Sequence, residues 1–186
     1  MKNLDRVAAI VAKILEVFHW VGTGIMAAAT ISAIVEPQFV GYFIGIDAKE
    51  CCGANLAVYG FEVNVPVVDG GVDMTTLFLF GIGTVIILAL MAMVFHNMHF
   101  IFKKSENDSP FHRDNIRRLK QIGVFSIAVP VVSIVMSVIV RLVTGPELDA
   151  EFSINMGGIF LGIVVFCLTR YFVRGAELEK DVEGLL

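Results

Sequence analysis

Charge and cysteine are both scarce in this chain of 186 residues. Charged side chains make up 17% of it, against roughly 25% in ordinary soluble domains. The net charge is −4, and no domain-wide basic excess exists, which excludes a soluble nucleic-acid binder. Three cysteines are too few for a disulfide scaffold, and no CxxC pair supports a thiol oxidoreductase. Four-ligand zinc spacing is missing, as are a phosphate-binding glycine loop and a serine elbow. No internal repeat is convincing, which argues against a transporter built from inverted repeats. What the chain has in excess is apolar residues, 56% of the total, with a mean hydropathy of +0.79. That composition excludes disorder and leaves an integral membrane protein.

Four long runs carry no Asp, Glu, Lys or Arg. They hold 19 residues between Glu16 and Glu36, 29 between Asp73 and Lys103, 20 between Lys120 and Arg141, and 18 between Glu151 and Arg170. A helix needs about 20 apolar residues to cross roughly 30 Å of hydrocarbon. The runs are continuously apolar, without the two-residue alternation of barrel strands, so helices are predicted. The expected fold is an all-α membrane domain over 1–186, with spans at about 14–35, 77–102, 122–143 and 153–173.

Orientation follows from the basic residues of the connections. The N-terminal arm, the segment Lys103–Lys120 and the C-terminal tail together hold 12 of the 14 Lys and Arg. Both termini and the 103–121 loop are therefore expected in the cytoplasm. The first span is too long for a signal-peptide core, which runs about 7–15 residues.

The 36–76 segment is the one long external loop, and a structureless loop of that length is unusual. Gly41–Asp47 and Leu56–Val65 are rich in Val, Ile, Tyr and Phe, between Gly, Asn and Pro punctuation. This predicts a small external β-hairpin, with Cys51 and Cys52 at its turn. Adjacent cysteines bridge only with distortion, and strained disulfides are easily reduced, so Cys51 and Cys52 are redox candidates. Cys167, deep in the fourth span, reads as a small packing residue.

Ionisable groups at membrane depth are costly and are functional candidates. Here they are Glu16, His19, His96 and His99. His19 and His96 lie at similar depths, and His96 and His99 share a helix face by their spacing. A metal or haem held by His19 with His96 or His99 is one reading. Interfacial histidines bonded to water, headgroups or Asn97 are the other. Glu16 is expected at the interface, near Lys13. No carboxylate cage accompanies the histidines, and no cofactor is predicted. No nucleophile sits in a recognisable setting, so the balance leans against an enzyme.

Pro130 removes a backbone bond inside the third span and predicts a kink. Gly158 and Gly162 form a small-xxx-small pattern suited to close packing within the chain. Gly81 and Gly83 lie inside an apolar helix and read as packing positions. Ser109 suits a helix N-cap and Pro110 the first helical position. Behind them, Ile116, Leu119 and Ile122 make an apolar stripe among Arg113, Arg117, Arg118 and Lys120. This basic amphipathic lead-in either holds topology by touching anionic lipid or docks a cytoplasmic partner.

The run Ser109-Pro110-Phe111, then Asn115, Arg118-Leu119 and Ile122-Gly123, resembles a bacterial family of four-span membrane proteins catalogued as domain of unknown function 2975. Arg174-Gly175, with Leu178 and Asp181, is a second element of the likeness, which covers nearly the whole chain. His112 and Asp114 stand where that family more often has Thr and Glu. The resemblance implies no established enzymatic activity. It implies companionship with small helix-turn-helix transcription regulators. The expected function is a sensor or regulatory partner of such a regulator, with Phe111, Arg113, Asn115, Arg117 and Arg118 as candidate contacts. A signal would shift helix packing near Pro130 and alter the Phe111–Lys120 and Arg174–Leu186 faces. The rivals are a redox- or metal-dependent membrane enzyme and an oligomeric transporter or immunity protein. Direct contact with nucleic acid is not expected, and a homo-oligomer remains open.

Overall fold

The computed structural model describes residues 2–35, 54–68, 71–104, 111–145 and 156–183. Among them are four helices: α1 (Lys2–Val35), α2 (Met74–Lys104), α3 (Arg113–Thr144) and α4 (Met156–Glu183). All four are long and apolar enough to cross a membrane. They run 34, 31, 32 and 28 residues, or about 40–50 Å at 1.5 Å per residue. That exceeds the hydrocarbon thickness, so each helix continues past its charge-free run. Within its most apolar stretch, α2 is 44% buried and so is α3, against 11% for α1 and for α4. The two outer helices therefore present most of their apolar surface outward, where only lipid satisfies it.

Two antiparallel hairpins lie between α1 and α2. Strands β1 (Ala54–Val58) and β2 (Phe61–Val65) pair from Ala54↔Val65 to Val58↔Phe61. The short β3 (Val67–Val68) pairs with β4 (Gly71–Val72). The β1–β2 turn is Tyr59-Gly60, with φ of 49° and 84°. Positive φ at both central residues matches a tight turn whose twist suits the flanking strands. The expected external hairpin is present, but Leu56–Val65 holds parts of both its strands and the turn between them is Tyr59-Gly60. Tyr supplies the left-handed conformation here without a Gly or Asn signal, and glycine follows it. Cys51, Cys52 and Gly41–Asp47 lie outside the described residues.

The chain forms two compact units. One comprises Trp20–Ala89 and Val129–Asn155. In it, β2 alternates strictly: Phe61, Val63 and Val65 are buried and Asn64 is exposed. Phe61 has no exposed surface. Its ring stacks on Phe80 at 5.4 Å and covers Gly83, where a Cβ would come within 2.6 Å of it. Gly81 faces Thr30 just as closely. Both glycines are thus packing positions, as expected. Asp73 caps α2: its carboxylate accepts the Thr76 N–H at 3.0 Å and the Thr76 hydroxyl. The Asp73 N–H donates to the Pro66 carbonyl at 3.0 Å. Pro130 is fully buried, and α3 continues through it as helix. Two buried hydroxyls of α3 are satisfied along their own helix, Ser133 on Val129 O at 3.0 Å and Ser137 on Ser133 O at 2.9 Å.

The other unit comprises Met1–His19, Leu90–Ala128 and Met156–Leu186. Its core is Val94, Ile122 and Val165, with Met98, Ile101, Leu119 and Phe125 packed around them. Gly162 meets Ile127 and the Gly123 carbonyl, so a Cβ there has no room. Gly162 therefore serves packing of α4 against α3 within the chain. The expected start of α3 is corrected. The helix begins at Arg113, not at Pro110 behind a Ser109 cap. Phe111 is held on α4, 5.5 Å from the Phe172 ring and directly over Gly175. The chain enters the helix after that anchor. His112 caps it, accepting the Asp114 N–H at Nδ1 (3.3 Å) and the Asn115 N–H at its carbonyl (2.9 Å). Phe111 and Gly175 belong to the two sequence elements that carried the family resemblance, and the fold brings them into contact.

Candidate functional site

The polar cluster of the first-and-last-residue unit is built on α1 and α2. Glu16 sits four turns into α1 and is only 5% exposed. An isolated buried carboxylate is very costly, so it must be paired. Two partners meet that need. Lys13 Nζ donates to Oε2 at 3.0 Å from one turn earlier on the same helix. His96 Nδ1, on α2, donates to Oε1 at 3.0 Å. The Glu16–His96 contact thus joins helices 80 residues apart in sequence. Hydrogen bonds to a charged group are stronger than neutral ones, and this one spans the α1–α2 seam.

A second bond crosses the same seam: His99 Nδ1 donates to the Ala9 carbonyl at 2.8 Å. Ala9 and Ala12 are both buried, and these small residues allow close approach of the helices. Phe100 stands between the histidines and α3. It meets the His96 ring at 4.9 Å and the His99 ring at 5.5 Å. The Arg118 guanidinium lies 4.3 Å above its centroid, a cation–π contact.

The expected metal set does not converge. Among the described residues no three His, Cys, Asp or Glu side chains are placed to hold a metal ion. His19 donates Nδ1 to the Leu15 carbonyl at 2.7 Å and packs on Phe95. Each of the three rings thus spends Nδ1 on a different acceptor. Asn97 does not serve the histidines, since its amide donates to Met93 O at 2.8 Å. Glu16 is more buried than an interfacial residue, and its His96 partner was not among the contacts expected from sequence. Spacing along α1 reveals Lys13, but nothing local reveals a group on another helix.

The candidate partner-binding residues divide. Arg113 and Arg117 are exposed on the first turns of α3. Asn115 is buried, Phe111 is packed on α4, and Arg118 covers Phe100. Cys51 and Cys52 lie outside the described residues. Cys167 is exposed on α4 rather than packed inside.

The four spans define a multi-pass membrane protein. No protein-family model, curated protein or solved structure matches the chain.

Proposed function

We propose that this chain is a regulatory protein of the bacterial inner membrane, with both termini in the cytoplasm, that engages a cytoplasmic helix-turn-helix regulator. The observation that carries the reading is the build of the α3 entry. Phe111 ties it to α4 through Phe172 and Gly175, while Arg113 and Arg117 stand exposed beside that anchor. A basic face on a fixed platform suits an acidic patch on a protein partner. The family resemblance and the basic bias of the connections favour the same side of the membrane. The signal input is assigned to Glu16, Lys13 and His96 rather than to Pro130. A charge change on any of the three alters an α1–α2 contact directly, which is how ionisable switches bias a packed element.

The test is affinity capture of the full chain from its native host in mild detergent, with mass spectrometry of what co-purifies. A stoichiometric helix-turn-helix protein is expected. Arg113→Glu with Arg117→Glu should lower its retention more than about tenfold, since each reversed charge costs over ~1 kcal/mol at a complementary interface. Membrane insertion should be unchanged. Undiminished retention and unchanged target-gene expression in that variant overturn the reading.

A further inference from the structure

A cleft of about 320 Å³ opens beside the Glu16 cluster, between the start of α1 and the end of α2. Three of its lining residues are basic, Arg6 and Lys13 from α1 and Lys103 from α2, and no carboxylate lines it among the described residues. Its walls are apolar, formed by Ala9, Ile10, Ile14 and Phe102. The His99 ring is fastened in place by the bond from Nδ1 to Ala9 O. Ile10 and Ile14 are themselves largely exposed, and they continue into Val7, Val11, Val17 and Phe18 along α1. The cleft therefore leads onto an exposed apolar helix surface suited to acyl chains.

We propose that this cleft binds one anionic phospholipid, its phosphate held by Arg6, Lys13 and Lys103 and its acyl chains laid along Ile10 and Ile14. A small soluble anion would satisfy the basic residues but leave the apolar walls wet. A zwitterionic lipid would bring its own cation against three others. Basic pockets between transmembrane helices are suited to anionic headgroups for this reason. The volume is at the low end of small-molecule sites, about 300–1,000 Å³, and fits a headgroup with the tails outside. Lys13 also serves Glu16 at 3.0 Å, so headgroup and carboxylate share one cation. Occupancy of the cleft thereby reaches the Glu16–His96 bond. The site stands on the cleft alone and does not require the regulatory partner.

The experiment is native mass spectrometry of the full chain released from micelles doped with lipid. The probes are phosphatidylglycerol, phosphatidylcholine of the same acyl chains, and glycerol phosphate as a free competitor. One phosphatidylglycerol should stay bound at activation energies that strip phosphatidylcholine. Arg6→Gln with Lys103→Gln should weaken its retention more than about tenfold. Lys120→Gln, an exposed basic residue outside the cleft, should leave it unchanged and controls for net charge. Three results each overturn the proposal: equal retention of both lipids, equal loss in the Lys120 variant, or full displacement by glycerol phosphate. The last would make the cleft a soluble-anion site instead.

Discussion

The two compact units answer the same problem, polar groups at membrane depth, in different ways. In the unit containing the hairpins, the buried hydroxyls of Ser133 and Ser137 turn back on their own helix, to carbonyls four residues earlier. Such bonds satisfy a group without joining one helix to another. Cohesion there is steric and apolar, from Phe61 over Gly83 and Phe80 and from Thr30 against Gly81. In the unit containing both termini, Glu16 and His99 send or receive bonds across the α1–α2 seam. Those bonds hold helices together and depend on charge. Between α1 and α2 the terminal unit thus rests on an ion pair, whereas the described charge of the hairpin unit acts at the Asp73 cap of α2.

Three experiments probe that contrast. Phe61→Ala should have the largest effect, a loss of about 3–5 kcal/mol in unfolding free energy in micelles, because a fully buried phenyl leaves a cavity. The histidine ring signals of the other unit, followed by NMR in the same sample, should stay in place. Signals that move would show the units to be energetically one. Gly162→Ala forces a Cβ against Ile127 and the Gly123 carbonyl. Overpacking of this kind costs about 1–3 kcal/mol, and thermal unfolding with a crosslink between α3 and α4 would read it. An unshifted midpoint would mean the crossing is looser than described. The smallest effect is the coupling of Glu16 to His96. A double-mutant cycle with Glu16→Gln and His96→Gln should give about 1 kcal/mol, discounted because His96 is partly exposed. Coupling within error of zero would remove the charged seam from the comparison.

The helices were legible in the sequence because membrane spans are written as absence of charge over a fixed length. Their ends were not. Lys2–Lys13 and Arg174–Glu183 are helical yet carry charges, and nothing in a charge-free run marks where a helix stops once it leaves the hydrocarbon. The hairpin was legible as a type of element, but its turn was not, since Tyr59 carries a positive φ without a glycine's freedom. The α3 start was misplaced for a tertiary reason. Ser109-Pro110 is a good local start signal, but the contact of Phe111 with α4 sets the helix later. The candidate site was legible as a set of suspicious residues and not as an arrangement. Glu16, His96 and His99 were singled out by cost, while the bonds linking them across α1 and α2 depend on helix rotation, which a single sequence does not encode locally.

Asp73 deserves a mechanical reading. Its N–H holds the end of β2's extension at Pro66, and its carboxylate and carbonyl hold Thr76 and Leu77 at the first turn of α2. The residue works as a rivet between the hairpin and the helix. A load applied to the hairpin reaches α2 through those bonds without first taking up the slack of a tether. Pulled from Asn64, the hairpin should therefore transmit torque to α2 until the Asp73 bonds part, and Asp73→Ala, which removes only the carboxylate bonds to Thr76, should soften the helix side of the linkage while the backbone bond to Pro66 remains.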